Sequence, residues 1–218
     1  MKKSKVMLFG AMALTAGLAL AACGSSQSSN TDKTYSYIFV NNPDTLDYIT
    51  STRDSTSSIT TNLIDGLLEN DQYGNLIPSM AESWTVSKDG LTYTYKIRQG
   101  AKWYTSEGEE YADVTAHDFV TGLKYAADKK AENLYLVQDS IKGLADYVEG
   151  KSSDFGTVGV KAVDDYTLQY TLNQPETYWN SKTTASILSP VNEAFLKSKG
   201  DEFGSVTPSS ILSNGPYL

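Results

Sequence analysis

Residues Asp65–Trp103 read DGLLENDQYGNLIPSMAESWTVSKDGLTYTYKIRQGAKW, and the fold is decided there. The stretch parses as a helix end, a glycine turn, a proline-marked segment and a hairpin. The hairpin pairs Ser83–Val86 with Thr92–Arg98 across a turn at Lys88-Asp89-Gly90. Asp-Gly between runs rich in Thr, Tyr, Val and Ile is a strong hairpin signal, because glycine enters positive φ without a Cβ clash.

Working outward, the upstream side has a targeting character. Lys2, Lys3 and Lys5 precede an uncharged run from Val6 to Ala22 that is apolar but for Thr15. A spanning helix needs about 20 such residues, so this run suits a signal sequence better than a membrane anchor. Leu20-Ala21-Ala22-Cys23 follows the Leu-small-small-Cys pattern of a bacterial lipobox, and Cys23 is the chain's one cysteine. The reading is a signal peptide over residues 1–22 with Cys23 as the lipidation site. The alternatives are an ordinary secretory signal with an incidental cysteine, or an anchor helix. With one cysteine there is no internal disulfide, and the fold rests on its own core. Residues 23–34 are Ser-rich and otherwise polar and form a flexible tether, reaching roughly 17 Å for ten residues.

The remainder, 35–218, is 218-residue chain minus leader and tether, and carries the folded part. Tyr35–Val40 reads as a strand. Apolar positions Ile59, Leu63, Ile64, Leu67 and Leu68 share one helical face, predicting a helix capped by Asp54 or Ser55 and ending near Gly66. Thr115-Ala116-His117-Asp118 has capping-box form and starts a second helix with Phe119, Val120, Leu123 and Ala127 inward. A third helix is expected over Asn133–Val148. Val158–Val163 and Thr167–Leu172 read as strands around Asp164-Asp165, with short helical pieces at Tyr178-Trp179 and Asn192–Ser198. The fold class is mixed α+β. The whole chain carries 18 basic and 26 acidic side chains, a net charge of −8, which argues against nucleic acid as a partner.

Catalytic and metal chemistry lacks its residue sets. His117 is the one histidine and has no His/Cys cluster around it in sequence. Glu109-Glu110 and Asp164-Asp165 are adjacent turn residues that point apart, whereas acid/base work needs two carboxyls on one substrate. Gly90, Gly100 and Gly108 are isolated turn glycines, so no phosphate cradle is present. No metal or cofactor is expected, and no enzymatic activity. Trp103-Tyr104 could floor a carbohydrate pocket, but sheet packing is the plainer use of these aromatics.

Several segments together resemble the peptide-binding lipoproteins of ABC importers, extracellular solute-binding protein family 5, of the Ami/Ali oligopeptide-binding type. They are PDTLDY (Pro43–Tyr48), NLIDGLLENDQYGNLIPSMAESW (Asn62–Trp84), SKDGLTYTYKIRQGAKW (Ser87–Trp103), VTAHDFVTGLKYAAD (Val114–Asp128), VGVKAVDDYTLQYTL (Val158–Leu172) and NGPYL (Asn214–Leu218). The resemblance covers 35–218 and implies a lobe of a type II periplasmic-binding-protein-like fold with a small extra lobe. It implies that the second major lobe lies outside these residues, so that residues 23–218 alone bind tri- to heptapeptides weakly or not at all. It implies a monomeric receptor, lipid-anchored on the extracellular face of the membrane, that binds oligopeptides by backbone pairing and delivers them to ABC permease subunits. Backbone pairing gives tolerance of ligand sequence, since the main chain supplies the affinity. By resemblance the pairing segment is Thr52, Arg53 and Asp54. On residue type alone, Arg53 and Asp54 are charged groups at a helix entry that a ligand could reach, or a solvated side chain and a cap. A truncated receptor without transport activity (decoy, adhesin or degraded reading frame) is the alternative, and a surface hydrolase is the remaining class.

Two acyl chains hold a protein stably on a bilayer, at roughly 0.8 kcal/mol per buried CH₂. Cys23→Ala is therefore expected to leave the signal uncut or to release the protein from membranes. Fractionation that finds a cleaved, membrane-retained variant would contradict the lipobox reading.

Overall fold

Glycine turns and short polar loops divide the chain into brief elements, and the computed structural model describes them for residues 41–218. The strand expected at Tyr35–Val40, the lipobox and the tether lie outside the described residues. Those described all belong to one unit, Val40–Leu218. Helix α1 (Asp54–Thr60) precedes a small hairpin of β1 (Leu68–Asn70) and β2 (Leu76–Pro78). Then come β3 (Ala81–Val86), β4 (Thr92–Ile97), β5 (Lys102–Tyr104) and β6 (Glu110–Asp113). Helix α2 (Ala116–Lys129) and the short α3 (Leu144–Val148) follow, then β7 (Val160–Asp164) and β8 (Thr167–Thr171). Two further short helices, α4 (Trp179–Lys182) and α5 (Glu193–Lys199), lie toward the C-terminal end.

The main sheet is antiparallel with order β3-β4-β8-β7, so the Asp-Gly hairpin supplies one edge strand and one of the two central strands. Trp84 faces Tyr95 and Val86 faces Tyr93, as the hairpin reading requires. Gly90 takes φ +71°, and a Cβ there would lie 3.0 Å from Pro175 Cβ, so glycine serves both the turn and the packing. The Asp89 carboxylate accepts from Leu91 N at 3.1 Å and holds the turn. Along β4 the period-2 alternation buries Tyr93, Tyr95 and Ile97. Across the sheet Tyr93 meets Tyr170 and Tyr95 meets Leu168. Trp179 from α4 packs 5.3 Å from the Tyr170 ring and 6.2 Å from that of Tyr93, extending an aromatic core.

Helix α2 begins as its sequence predicts. The Asp118 carboxylate accepts from Thr115 N at 2.8 Å and closes the capping box. The same oxygen, Oδ2, accepts from Trp103 Nε1 at 3.0 Å, so one carboxylate starts the helix and fastens β5 to it. Trp103 is thereby a buried core residue and not the floor of a carbohydrate pocket. Phe119, Leu123, Ala126 and Ala127 bury the helix's inner face, with Val120 half-buried. At Gly122 a Cβ would come 2.2 Å from Ser189 O, so the helix and the loop behind it touch backbone to backbone.

Two helices differ from their sequence reading. The first spans seven residues and stops at Thr60, while Leu67 and Leu68 belong to extended chain. Its Ser and Thr side chains bond back into their own turn (Ser58 Oγ to Asp54 O, 2.6 Å; Thr61 Oγ1 to Ser57 O, 2.7 Å), a weak helix-former pattern. Beyond it, Leu63 O accepts from Asn214 N and Gly215 N, and Leu67 O accepts from Ala81 N, so tertiary pairing takes over the backbone. The apolar face is real, since Ile64, Leu67 and Leu68 are buried, but extended chain buries the last two. The third helix is replaced by a 3₁₀ turn (Glu132–Leu136) and α3. Gly143 sits between them at φ +72°, and Ile141 bridges to Leu172 as strand. Leu134, Val137, Ile141 and Leu144 are nevertheless all buried.

Burial pushes the Asp118 carboxyl up from its ordinary 3.8 to about 6, against the lowering effect of its hydrogen bonds. The folded protein keeps a proton on Asp118 that the unfolded chain has released between about pH 4 and 6. Its contribution to stability is full below about pH 4, falls as pH rises through 6, and spans on the order of 2–3 kcal/mol. Asp118→Asn keeps an acceptor for Trp103 and Thr115 and loses the titration. Urea denaturation should show the wild-type minus variant stability difference falling between pH 4 and 7, and a constant difference would refute the assignment.

Candidate functional site

The loop that carries Thr52, Arg53 and Asp54 is shaped by the residue five positions ahead of Thr52. Asp47 is buried, and its Oδ1 accepts from Ile49 N (3.0 Å) and Thr50 N (3.1 Å). Its Oδ2 accepts from Thr50 Oγ1 (2.7 Å) and from Tyr125 OH (2.8 Å) on α2. Four hydrogen bonds on one carboxylate turn the chain and dock the turn on the helix. Thr45 Oγ1 and Leu46 N both donate to Gly204 O, at 2.7 and 2.6 Å. Gly204 lies so close that a Cβ would stand 2.5 Å from Asp47 Cβ, and its φ of +73° also demands glycine. Tyr48 OH donates to Pro190 O at 2.8 Å. The segment Pro43–Tyr48, singled out for its sequence, is thus the platform of the loop.

The loop itself is exposed. Ser51 Oγ donates to Thr56 Oγ1 at 3.0 Å and accepts from Arg53 N at 3.3 Å, which fixes the entry to α1. Thr52 Oγ1 donates to Glu132 Oε2 at 3.1 Å, a contact across 80 residues to the 3₁₀ turn. The Thr52 N–H and C=O have no hydrogen-bond partner among the described residues. Arg53 is the N-cap of α1, its carbonyl accepting from Thr56 N and Ser57 N, and no side chain caps the helix. The expected cap at Asp54 or Ser55 is corrected: Asp54 is already the first helical residue, where its charge faces the positive end of the helix. Arg53 is not simply solvated either. Its Nε lies 2.9 Å from Asp44 Oδ2, an exposed pair worth about 0–1 kcal/mol.

Asn41, Asn42, Asp44, Arg53, Asp54 and Ser55 line an open cavity of about 430 Å³. The three expected contact residues are therefore contiguous, exposed and beside a cavity, with Arg53 and Asp54 in its wall. Cys23 lies outside the described residues. Glu132 was missed by sequence reasoning, because nothing local links it to Thr52. Asp47 had a local signal, an acidic residue followed three places on by threonine, which is an Asx-type turn. His117 lies 3.3 Å from Asp165 with both side chains exposed, a surface contact.

Removing the Asp47 carboxylate leaves buried donors without partners, at about 1–3 kcal/mol for a buried group. Asp47→Ala is expected to lower stability by roughly 2–4 kcal/mol and to speed hydrogen exchange at Ile49 and Thr50. Unchanged protection of those two amides would show that the loop is held by something else.

Comparison with known proteins gives the family. A family model described as bacterial extracellular solute-binding proteins, family 5 Middle, matches residues 75–218. The oligopeptide-binding protein AliB of Streptococcus pneumoniae is 65% identical over 216 residues, covering 99% of this chain and 33% of AliB. The oligopeptide-binding protein AmiA of the same species is 61% identical over 221 residues, 100% of this chain and 34% of AmiA. Among solved structures, Listeria monocytogenes OppA bound to peptide superposes with a TM-score of 0.72 at 34% identity, over 79% of this chain and 33% of OppA. The chain spans about a third of the length of the relatives it matches. It belongs to family 5 of the bacterial extracellular solute-binding proteins.

Proposed function

We propose that this chain supplies the first peptide-contacting part of the substrate-binding component of an ABC oligopeptide importer. Thr52, Arg53 and Asp54 are its ligand contacts. The observation that carries the reading is the Thr52 backbone, whose N–H and C=O are unpaired among the described residues on an exposed loop with a rigid base. An extended peptide takes such a pair as it takes the edge of a sheet. Its side chains then project into water or the adjacent cavity, where bridging waters accommodate different residues. The resemblance to relatives named as oligopeptide-binding proteins supports the same ligand class.

The reading extends to residues outside those described. Residues 1–22 are a signal peptide, Cys23 carries the lipid, residues 23–34 are the tether, and residues 35–218 are the N-terminal part of the solute-binding domain. The protein then sits monomeric on the outer face of the membrane and passes peptide to permease subunits, with binding and not catalysis as its activity.

The test is an NMR titration of the ¹⁵N-labelled chain with pentaalanine at millimolar concentrations. Amide shifts are expected at residues 51–54, saturating with peptide. Thr52→Pro removes the N–H donor and is expected to weaken the response at least tenfold, with circular dichroism confirming an unchanged fold. Shifts elsewhere on the surface that persist in Thr52→Pro would overturn the assignment.

A further inference from the structure

A second cavity, of about 220 Å³, lies where the end of the first helical region meets β1 and the Thr184–Ser189 loop. Its wall includes the carboxyl-bearing residues Asp65 and Glu69, the serines Ser79 and Ser189, and the apolar Ile64 and Leu68. Several of these groups have unfilled bonding capacity. The Asp65 backbone is tied by its N–H and C=O to the Asn214 side chain, at 3.0 and 3.1 Å. Its carboxylate accepts no hydrogen bond and forms no ion pair among the described residues. Ser79 and Ser189 are each 7% exposed, and neither hydroxyl is hydrogen-bonded among the described residues. No side-chain oxygen of Asp65, Ser79 or Ser189 is fully buried without a partner, so a ligand with N–H donors would take the place of solvent at these acceptors.

The charge balance gives the sign of that ligand. Burial raises the Asp65 carboxyl above its ordinary value, the neighbouring Glu69 raises it further, and Arg98 offsets this in part. Arg98 is itself committed, its Nη2 donating to Ser79 O at 3.0 Å. The cavity therefore has two carboxylates near one guanidinium, which leaves the group net negative. A cation carrying N–H donors would relieve the repulsion and fill the acceptors together. An ammonium has three donors, enough for the Asp65 carboxylate and two serine hydroxyls. Ile64 and Leu68 offer an apolar wall along which a short methylene stem can lie.

We infer that this cavity is a binding site for a primary alkylammonium group, with Asp65 as its charge partner, Ser79 and Ser189 as further acceptors, and Ile64 and Leu68 as the wall for its stem. The chemistry is shared by a free aliphatic amine and by the end of a lysine side chain. The site is separate from Thr52–Asp54, and the inference does not rest on that loop's function.

The experiment is an NMR titration of the ¹⁵N-labelled chain at pH 7.5 with butylammonium chloride. The controls are 1-butanol at equal concentration and sodium chloride at equal ionic strength. Saturable shifts are expected at the amides of Asp65, Gly66, Glu69 and Ser189, with a dissociation constant on the order of 1–10 mM for so small a probe. Asp65→Asn should weaken binding about tenfold and Glu69→Gln severalfold, each checked for fold by circular dichroism. Glu69→Gln carries the test if Asp65→Asn fails to fold. Nα-acetyl-lysine amide distinguishes the sources: binding with comparable shifts assigns the site to a peptide's lysine, and binding of butylammonium alone assigns it to a free amine. Thr52→Pro should leave these titrations unchanged, so that failure of the loop assignment and failure of this one are separable. Equal shifts with butanol or sodium chloride, the absence of localised shifts, or insensitivity to both carboxylate variants would overturn the inference.

Discussion

The four hydrogen bonds on the Asp47 carboxylate are the constraint on which the candidate site depends. Ile49 N, Thr50 N, Thr50 Oγ1 and Tyr125 OH converge on one buried side chain. Three of these donors are local and one lies 78 residues away on α2, so the same group sets the turn and its position. The Gly204 carbonyl, which takes two donors from Thr45 and Leu46, clamps the other side of the segment. Without a side chain at Gly204 the two backbones come within van der Waals contact, and that closeness fastens the base of the loop to the core. Tyr125 and Tyr48 both stand against the Phe203 ring, at 5.4 and 6.1 Å, so the apolar packing follows the polar tie.

A second tie of the same kind joins β5 to α2. Asp118 serves Thr115 N and Trp103 Nε1 with one oxygen, and its charge is desolvated in doing so. A buried carboxylate that starts a helix and satisfies an indole is a specific solution, since a neutral apolar residue there would leave both donors unpaired. The pair of buried Glu176 and half-buried Lys182 works likewise. Lys182 Nζ lies 2.9 Å from Glu176 Oε2 and donates to Ser140 Oγ at 2.6 Å, fastening α4 to the 140s loop. Such pairs fix arrangement more than they add stability, because desolvation offsets most of the attraction.

How legible was this in the sequence? The hairpin at Asp89-Gly90, the capping box at Thr115–Asp118 and the pair of strands around Asp164-Asp165 were readable because their signals are local: a turn residue, a box spacing, an alternation. The two misread helices failed for a common reason. Ile59 to Leu68 and Leu134 to Val148 carry helix-like apolar spacing, and most of those positions are indeed buried. What periodicity does not carry is the competition for the backbone, which Asn214 and Gly215 win at Leu63, Ala81 wins at Leu67, and Leu172 wins at Ile141. Glycines 66 and 143 were the available warnings. At the candidate site, Thr52–Asp54 was reached through resemblance and not through any chemistry visible in those three residues. The Thr52–Glu132 contact spans 80 residues and has no local signature at all.

The proposed backbone recognition asks for a loop that is fixed in position, and the make-up of α1 meets that need. A ligand read through its main chain can vary in sequence, but the loop that reads it cannot vary in position. Helix α1 is seven residues of DSTSSIT, poor helix formers whose hydroxyls bond within the turn, and it could not hold a loop by its own propensity. The rigidity comes from outside it: Thr56 Oγ1 donates to Thr45 O at 2.8 Å, and Ser51 Oγ meets that same hydroxyl. The helix is thus hung on the Asp47 platform at its first turn, and Thr60 is buried at its end. Short hydroxyl-bearing side chains permit this because they satisfy donors and acceptors over one residue of reach. Longer polar side chains would add rotamer entropy at the point where position matters most. A stretch that looks like a soft, solvent-facing helix is therefore held at its first turn by hydrogen bonds in place of apolar contact.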